Sequence, residues 1–257
     1  MTETSNRTTW QILTKVPKLT VYFWIIKIIT TALGESTSDF LVNTISPYVA
    51  VVIGFVILCA TLAWQFKTRH YEPAVYWLAA LGVSVAGTMG ADVVHVGFGV
   101  PYVLSALFYA IALALVFILW YRSEGTLSIH SVYTRKREAF YWGTVLLTFA
   151  LGTAAGDLTA FTLHLGFFGS AILFMLIFCV PCFMYWKLKV NGILTFWFAY
   201  ILTRPIGASF ADWFGKPVTV GGVGLGDLVV SLVLGLMMIF FVVLVSRNRA
   251  DLYSQKQ

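Results

Sequence analysis

Charged residues are scarce in this chain, at 11% of 257 residues, whereas a soluble domain of this length carries roughly 25%. Hydrophobic residues make up 59%, and the mean hydropathy is +0.85. The low charge content excludes a water-soluble globular fold, so much of the surface must be solvated by lipid.

Cysteine is also rare, and the three present, Cys59, Cys179 and Cys182, all lie in apolar runs. This placement excludes a disulfide framework. No polar stretch is long enough for an inserted soluble domain, since the longest interruption is the loop from Arg122 to Glu138. The first sixteen residues have no apolar core followed by a small-residue cleavage site, so we expect no removable signal peptide.

Eight apolar runs approach the ~20 residues that a helix needs to cross the hydrocarbon core. They cover approximately residues 19–40, 47–66, 74–94, 101–121, 139–158, 166–186, 192–213 and 225–246. The runs predict an all-α polytopic membrane protein with about eight transmembrane helices, forming a single transmembrane domain over residues 1–257.

The basic residues predict an orientation. Fourteen of the 17 lysines and arginines lie in the terminal tails or in the 2–3, 4–5 and 6–7 loops, and the other three are Lys27, Arg204 and Lys216. By the positive-inside rule, both termini are then cytoplasmic. Because the net charge of +6 falls in short loops between apolar runs, it does not indicate nucleic-acid binding.

An internal repeat is the strongest pattern in the sequence. Each copy has an aromatic–Trp pair, a glycine ten residues after the tryptophan and an aspartate five residues after the glycine. The four copies are Phe23-Trp24, Gly34 and Asp39; Tyr76-Trp77, Gly87 and Asp92; Tyr141-Trp142, Gly152 and Asp157; and Phe196-Trp197, Gly207 and Asp212. Four gapless agreements predict four structural copies of one unit.

Each unit continues into a second apolar helix, so the units cover approximately residues 17–69, 70–122, 135–190 and 191–247. Two helices per unit return the chain to the same side of the membrane, so the repeats are parallel rather than inverted. The simplest assembly is a pseudo-fourfold bundle within one chain.

The four tryptophans at this spacing carry a resemblance to a known family. The chain resembles a family of bacterial membrane proteins defined by four copies of a repeat of unknown function, each with two membrane spans and a characteristic tryptophan. The resemblance extends over roughly residues 17–246. It implies the fold and a bacterial origin, but no activity.

The repeated residues differ in what they can do. The tryptophans suit the headgroup boundary and are expected to anchor the helices there. The aspartates follow fifteen residues later, ~22 Å across a core of ~30 Å, and so lie in its outer part. Each could cap the following segment by accepting backbone N–H bonds. Alternatively, Asp39, Asp92, Asp157 and Asp212 form a ring that attracts cations.

A polar ridge on the first helix supports the cation hypothesis. Lys27, Thr31, Glu35 and Asp39 recur every four residues, and Arg204 occupies the position of Thr31 in the fourth copy. Ionisable groups at this depth are expected to face the bundle interior. We expect Lys27 and Arg204 to pair with Glu35 or with an aspartate of another repeat, and to serve in gating or coupling. They could equally anchor an anion.

Two histidines and a cysteine pair extend the candidate set. His95 follows Asp92 by three residues and His164 follows Asp157 by seven, so that Asp and His together could bind a divalent metal. Cys179 and Cys182 form a C-x-x-C that permits a redox function, although two packing cysteines is the simpler interpretation.

The leading hypothesis is a transporter or channel for a small cation, either a divalent metal or a proton-coupled ion, with the aspartates and Glu35 as ligands. A bound divalent cation is the cofactor that this implies. The alternatives are a carrier for a small organic or anionic solute anchored by Lys27 and Arg204, a membrane redox or quinone-interacting subunit, and a structural or sensory subunit.

No catalytic residue set is visible, which favours transport over an enzyme. The expected setting is the bacterial inner membrane, with the bilayer and a small ion or solute as partners; homo-oligomerisation stays open.

Overall fold

The computed structural model describes residues 14–254, with side chains described for residues 14–247. Most of the N-terminal tail, including Arg7, lies outside the described residues, as does Lys256. Within the described part, the chain forms eight long helices and no strand. They are α1 Val21–Thr44, α2 Pro47–Lys67, α3 Pro73–Asp92, α4 Tyr102–Glu124, α5 Arg135–Asp157, α6 Gly166–Trp186, α7 Gly192–Gly215 and α8 Asp227–Ser254. The predicted all-α architecture is confirmed.

Membrane-spanning character is clear in seven of these described helices, which are long and apolar enough to cross a bilayer. The exception is α1, which carries Lys27, Glu35 and Asp39 within 24 residues. Lys27 and Glu35 are buried in the protein and Asp39 is half-buried. The charges of α1 therefore face the protein rather than lipid, as charged groups in membrane helices normally do.

The helices form two concentric layers. The first helix of each repeat, α1, α3, α5 and α7, contacts its neighbours in that order, and α7 closes the ring against α1. In the most apolar windows of α3, α5 and α7, 61–72% of the residues are buried, against 11–28% in α2, α4, α6 and α8. The odd-numbered helices thus form an inner ring, and the even-numbered helices cover it towards lipid. The predicted pseudo-fourfold bundle is confirmed.

Each outer helix packs mainly against the inner helix of the following repeat. α2 packs on α3, α4 on α5 and α6 on α7, while α8 returns to pack on α1. Contacts between the two helices of one repeat are fewer. The repeats are therefore interlocked, and no single repeat buries its apolar surface alone.

The repeated glycines are where the inner helices approach each other most closely. A Cβ added at any of them would collide with the residue seven positions after the tryptophan of the next repeat. The pairs are Gly34 with Ser84, Gly87 with Phe149, Gly152 with Arg204 and Gly207 with Thr31. Small residues permit this approach, as expected for membrane helices.

The tryptophans close the end of the inner ring at which the odd-numbered helices begin, here called the tryptophan end. The aromatic residue before each tryptophan packs against the tryptophan of the next repeat, with ring centroids 5.4–6.1 Å apart. Trp77, Trp142 and Trp197 are only 1–4% exposed, and Trp24 is half-buried. The predicted lipid-interface anchoring is wrong for Trp77, Trp142 and Trp197, because their indoles are buried inside the bundle instead.

A buried ion pair lies at the same end. Lys15 Nζ is 2.5 Å from Oε2 of Glu138, and Gln65 donates to the other carboxylate oxygen at 3.1 Å. The backbone N–H of Lys15 donates to the carbonyl of Val132 at 2.9 Å, and Val16 enters the aromatic core. The segment before α1 is thus fastened across the loops of the tryptophan end.

Candidate cation-binding site

The four repeated aspartates lie at the opposite end of the inner ring, the aspartate end. Asp92 and Asp157 are the last residues of α3 and α5, and Asp39 and Asp212 lie in the last two turns of α1 and α7. Asp92 and Asp157 make no capping hydrogen bond to the turns that follow them. The helix-cap alternative therefore does not account for them. Their carboxylates belong instead to two separate groups.

Repeats 2 and 3 supply the histidine group, which consists of Asp92, His95 and Asp157. His95 Nε2 lies 3.1 Å from Oδ1 of Asp92 and 3.1 Å from Oδ2 of Asp157. The three ligand atoms are all within 4.8 Å of one another. The imidazole side chain is 1% exposed, and the side chains of Asp92 and Asp157 are 30% and 17% exposed. The group is therefore partly accessible from the surface of the protein through its aspartates.

A local change of helix type places His95. Directly after Asp92, the chain makes a π-helical turn over Val93–Gly97 that contains this histidine. A matching π-helical turn follows Asp157 over Leu158–Thr162. Such turns are rare in proteins as a whole, and those that occur are often found at functional sites. The His95 ring packs against Tyr102, with centroids 4.9 Å apart, which fixes the imidazole between the two aspartates.

Repeats 1 and 4 supply the lysine group, which consists of Glu35, Asp39 and Asp212 with Lys216. The carboxylate oxygens of the three acids lie within 4.8 Å of one another. Lys216 Nζ is 2.5 Å from Oδ2 of Asp39 and 3.9 Å from Oδ1 of Asp212. An ammonium of the chain itself thus stands among these carboxylates.

The loop after α7 holds Lys216 in place. Gly222 lies so close to the carbonyl of Lys216 that no Cβ fits there. After Lys216 the chain turns back through Val218–Val220, and the backbone N–H of Val223 donates to the carbonyl of Trp213 at 2.6 Å. Partial burial lowers the pKa of Lys216, but the carboxylates of Asp39 and Asp212 outweigh it and hold the pKa above its usual value.

Beneath both groups, Arg204 lies on the axis of the inner ring and is fully buried. Its Nη2 bonds to the carboxylate of Glu35, to the hydroxyl of Thr88 and, at 2.7 Å, to the hydroxyl of Thr153. Its Nη1 donates to the carbonyl of Thr31 at 3.1 Å. One guanidinium from repeat 4 therefore joins all four repeats. The predicted pairing of Arg204 with Glu35 is observed.

Lys27 does not pair as predicted. Its Nζ makes no hydrogen bond with any described residue, although the side chain is only 1% exposed. The ammonium lies 3.9 Å from the ring centroid of Phe149 and 4.3 Å from that of Tyr200. Arg204 already occupies Glu35, so that Lys27 is held by cation–π contacts instead.

The remaining candidates lie elsewhere. His164 is exposed, has a left-handed backbone with φ 55°, and belongs to neither group. Cys179 and Cys182 are free and exposed on the outer helix α6. They lie on the outer layer of the bundle rather than in its core, and neither the packing nor the redox interpretation is tested by this placement.

Comparison with known families agrees with the repeat pattern. A family model described as Repeat of Unknown Function (DUF347) matches residues 22–71, 75–126, 140–191 and 195–251. The chain belongs to this family. The resemblance read from the tryptophans is therefore confirmed, and each matched DUF347 span contains one inner and one outer helix. No curated protein and no solved structure matches the chain.

Sequence reasoning assigned no role to three groups that lie at the candidate site of this DUF347 protein. Thr88 and Thr153 occupy the repeat position of Glu35, four residues before the aspartate, and this equivalence could have marked them as partners of Arg204. Lys216 lies four residues after Asp212, and it was distinguished only by its place on the side poor in basic residues. Its reach across to Asp39 depends on the closing of α7 against α1.

Proposed function

We propose that this protein is a small-cation carrier of the bacterial inner membrane, with the aspartate end as its outward-facing binding site. The observation that carries the proposal is the convergence of one carboxylate from each repeat, with Glu35, into two ligand groups at one end. Rings of carboxylates at the mouth of a membrane bundle attract and select cations.

The interior favours a carrier over an open channel. Below the aspartates, Arg204 fills the axis and contacts every repeat, and Lys27 lies under aromatic rings nearer the tryptophan end. A cation moving along the axis would meet both positive charges and then the packed tryptophans. Passage thus requires the Arg204–Glu35 pair to open, which assigns these residues and Lys27 to gating or coupling.

The contacts of the two inner cations count against the anion alternative. The guanidinium of Arg204 donates to Glu35, Thr88, Thr153 and Thr31 and so faces the protein rather than a solute. Lys27 lies deeper than Arg204, beneath Phe149. The groups nearest the outer mouth are carboxylates, which repel anions.

The orientation rests on loop charge. The basic residues of the 2–3, 4–5 and 6–7 loops lie at the tryptophan end, which we therefore assign to the cytoplasm together with both termini. In a cysteine-free background, an impermeant thiol reagent added outside should label a cysteine placed at Val220 and not one placed at Arg135. External labelling at Arg135 would reverse the assignment.

Flux through proteoliposomes tests the function. We expect the wild type to conduct divalent cations or to move protons with them, and Asp92→Asn and Asp157→Asn to lower that flux by about tenfold or more each. Asp227→Asn is the matched control, because Asp227 begins α8 at the same end but belongs to neither group. Unchanged flux across all four repeat aspartate-to-asparagine variants would overturn the proposal.

A further inference from the structure

The two groups at the aspartate end differ in the cation that each can hold. We propose that the histidine group, Asp92, His95 and Asp157, is a binding site for a first-row divalent transition metal ion. This inference rests on the proposed cation function and names the class of ion.

The spacing of the three ligand atoms fits one ion. Two ligands that bind an ion at about 2.1 Å, at right angles to each other, lie about 3.0 Å apart. The two distances from His95 Nε2 to the carboxylate oxygens are both 3.1 Å. A small movement of side chains therefore suffices to bring all three atoms into one coordination sphere.

The imidazole points into the group. His95 is almost fully buried, and its Nδ1 has no hydrogen-bond partner among the described residues. All its polar contacts in this part of the chain are made by Nε2, towards the two carboxylates. Neutral imidazole nitrogens are among the commonest metal ligands in proteins.

Charge favours a divalent ion over a proton here. A single N–H on Nε2 can neutralise at most one of the two carboxylates that face it. In the two groups together, five carboxylates face two permanent cations, Arg204 and Lys216. A divalent ion between Asp92 and Asp157 would balance both of these carboxylates and leave the imidazole neutral.

The ligand set selects the class of ion. Mg²⁺ and Ca²⁺ prefer sites made entirely of oxygen, whereas imidazole suits the first-row transition ions. Two carboxylates with one imidazole thus fit ions from Mn²⁺ to Zn²⁺. The side chains of Asp92 and Asp157 are partly exposed, which leaves room for water or a further ligand.

Co²⁺ binding to the purified full chain in detergent tests the site, with equilibrium dialysis for stoichiometry and visible absorption for coordination. We expect about one Co²⁺ per chain, displaced by Zn²⁺ and not by excess Mg²⁺. His95→Gln should weaken binding by at least about 100-fold, since even outer-shell partners are worth 10–100-fold. His164→Gln is the matched control and should bind as the wild type, because His164 is exposed and outside the group.

Asp157→Asn provides a second variant if His95→Gln does not yield a monodisperse protein, and it should also lose Co²⁺. Absence of Co²⁺ binding by the wild type, wild-type affinity in His95→Gln, or displacement by equimolar Mg²⁺ would each overturn the inference. Flux separates this result from the proposed function. Cation flux without Co²⁺ binding removes only the metal assignment, whereas Co²⁺ binding without any cation flux removes only the carrier.

Discussion

The histidine group and the lysine group start from the same repeated aspartate and differ in everything around it. In the lysine group, the ammonium of Lys216 stands 2.5 Å from Asp39 and supplies the positive charge from the chain itself. In the histidine group, Asp92 and Asp157 share one imidazole nitrogen, and both remain partly exposed. One half of the aspartate end therefore contains an ammonium of the chain itself, while the other offers two carboxylates and an imidazole.

The difference comes from residues outside the repeat pattern. His95 lies in a π-helical turn after α3, and Lys216 lies in the loop after α7. The pattern residues build the symmetrical scaffold: glycines bring the inner helices together, and aromatic pairs close the tryptophan end. In this fold, the repeat pattern supplies the carboxylates, and single residues outside the pattern give the two groups different neighbours.

The largest effect on stability is expected from replacing Arg204, which lies beneath both groups. Arg204→Met leaves Glu35 buried with its guanidinium partner lost. Breaking a buried ion pair in this way costs about 3–5 kcal/mol. Unfolding of the detergent-solubilised protein, followed by circular dichroism, measures the loss.

The double variant Glu35→Gln/Arg204→Met removes both charges and should recover part of that stability, because neither member of the pair is left buried without its partner. Equal stability of Arg204→Met and the wild type would show that the pair does not hold the repeats together. If the histidine group does not depend on the Arg204–Glu35 pair, folded Arg204→Met should still bind about one Co²⁺ per chain.

Opening the lysine group should make the two halves alike. Lys216→Met removes the internal ammonium from Asp39 and Asp212, so that their carboxylates can bind a metal together, while Glu35 stays paired with Arg204. We expect the Co²⁺ stoichiometry to rise from about one to about two per chain. The second ion should persist when His95→Gln is added.

Lys187→Met is the control for loss of one positive charge, because Lys187 is exposed at the end of α6. It should leave the stoichiometry at about one. A stoichiometry of one in Lys216→Met would mean that the internal ammonium is not what keeps the lysine group from binding metal.

The architecture was predictable from the sequence, whereas the chemistry of the site was predictable only in part. The lengths of the apolar runs predicted the helices. The constant spacing of the repeated Trp, Gly and Asp predicted the parallel repeats and the pseudo-fourfold bundle. The partner of Lys27 was not predictable, because pairing depends on which of the two cations the folded chain places next to Glu35. Arg204 reaches it from α7, and Lys27 is left to the aromatic rings.

A smaller effect is expected from the glycine contact that positions Arg204. A Cβ on Gly152 would lie 2.6 Å from Cβ of Arg204 and 3.0 Å from Cδ of Pro205, so α5 and α7 must separate. Gly152→Ala should destabilise the protein by about 1–3 kcal/mol, as overpacking typically does. Gly143→Ala, on the same helix with open space around it, should be neutral or stabilising by up to about 1 kcal/mol. Thermal unfolding of the two variants compares them directly, and equal midpoints would contradict the close packing of α5 against α7.

The smallest effect concerns pH and the lysine group. Burial lowers the pKa of Lys216 and the carboxylates of Asp39 and Asp212 raise it more, so the pKa in the folded protein lies above that of the unfolded chain. A group shifted in this direction contributes its stabilisation fully below the unfolded pKa of about 10.5 and loses it only as pH rises through the folded value. Between about pH 6 and pH 8.5, the ammonium should therefore stay in place, and the wild type at saturating Co²⁺ should bind about one ion throughout. Lys216→Met should bind about two ions at both ends of this range.

If the wild type instead gained a second ion towards pH 8.5 while Lys216→Met did not change, the ammonium would be leaving Asp39 well below its expected pKa. The contrast between a closed lysine group and an open histidine group would then depend on pH rather than being fixed by the fold.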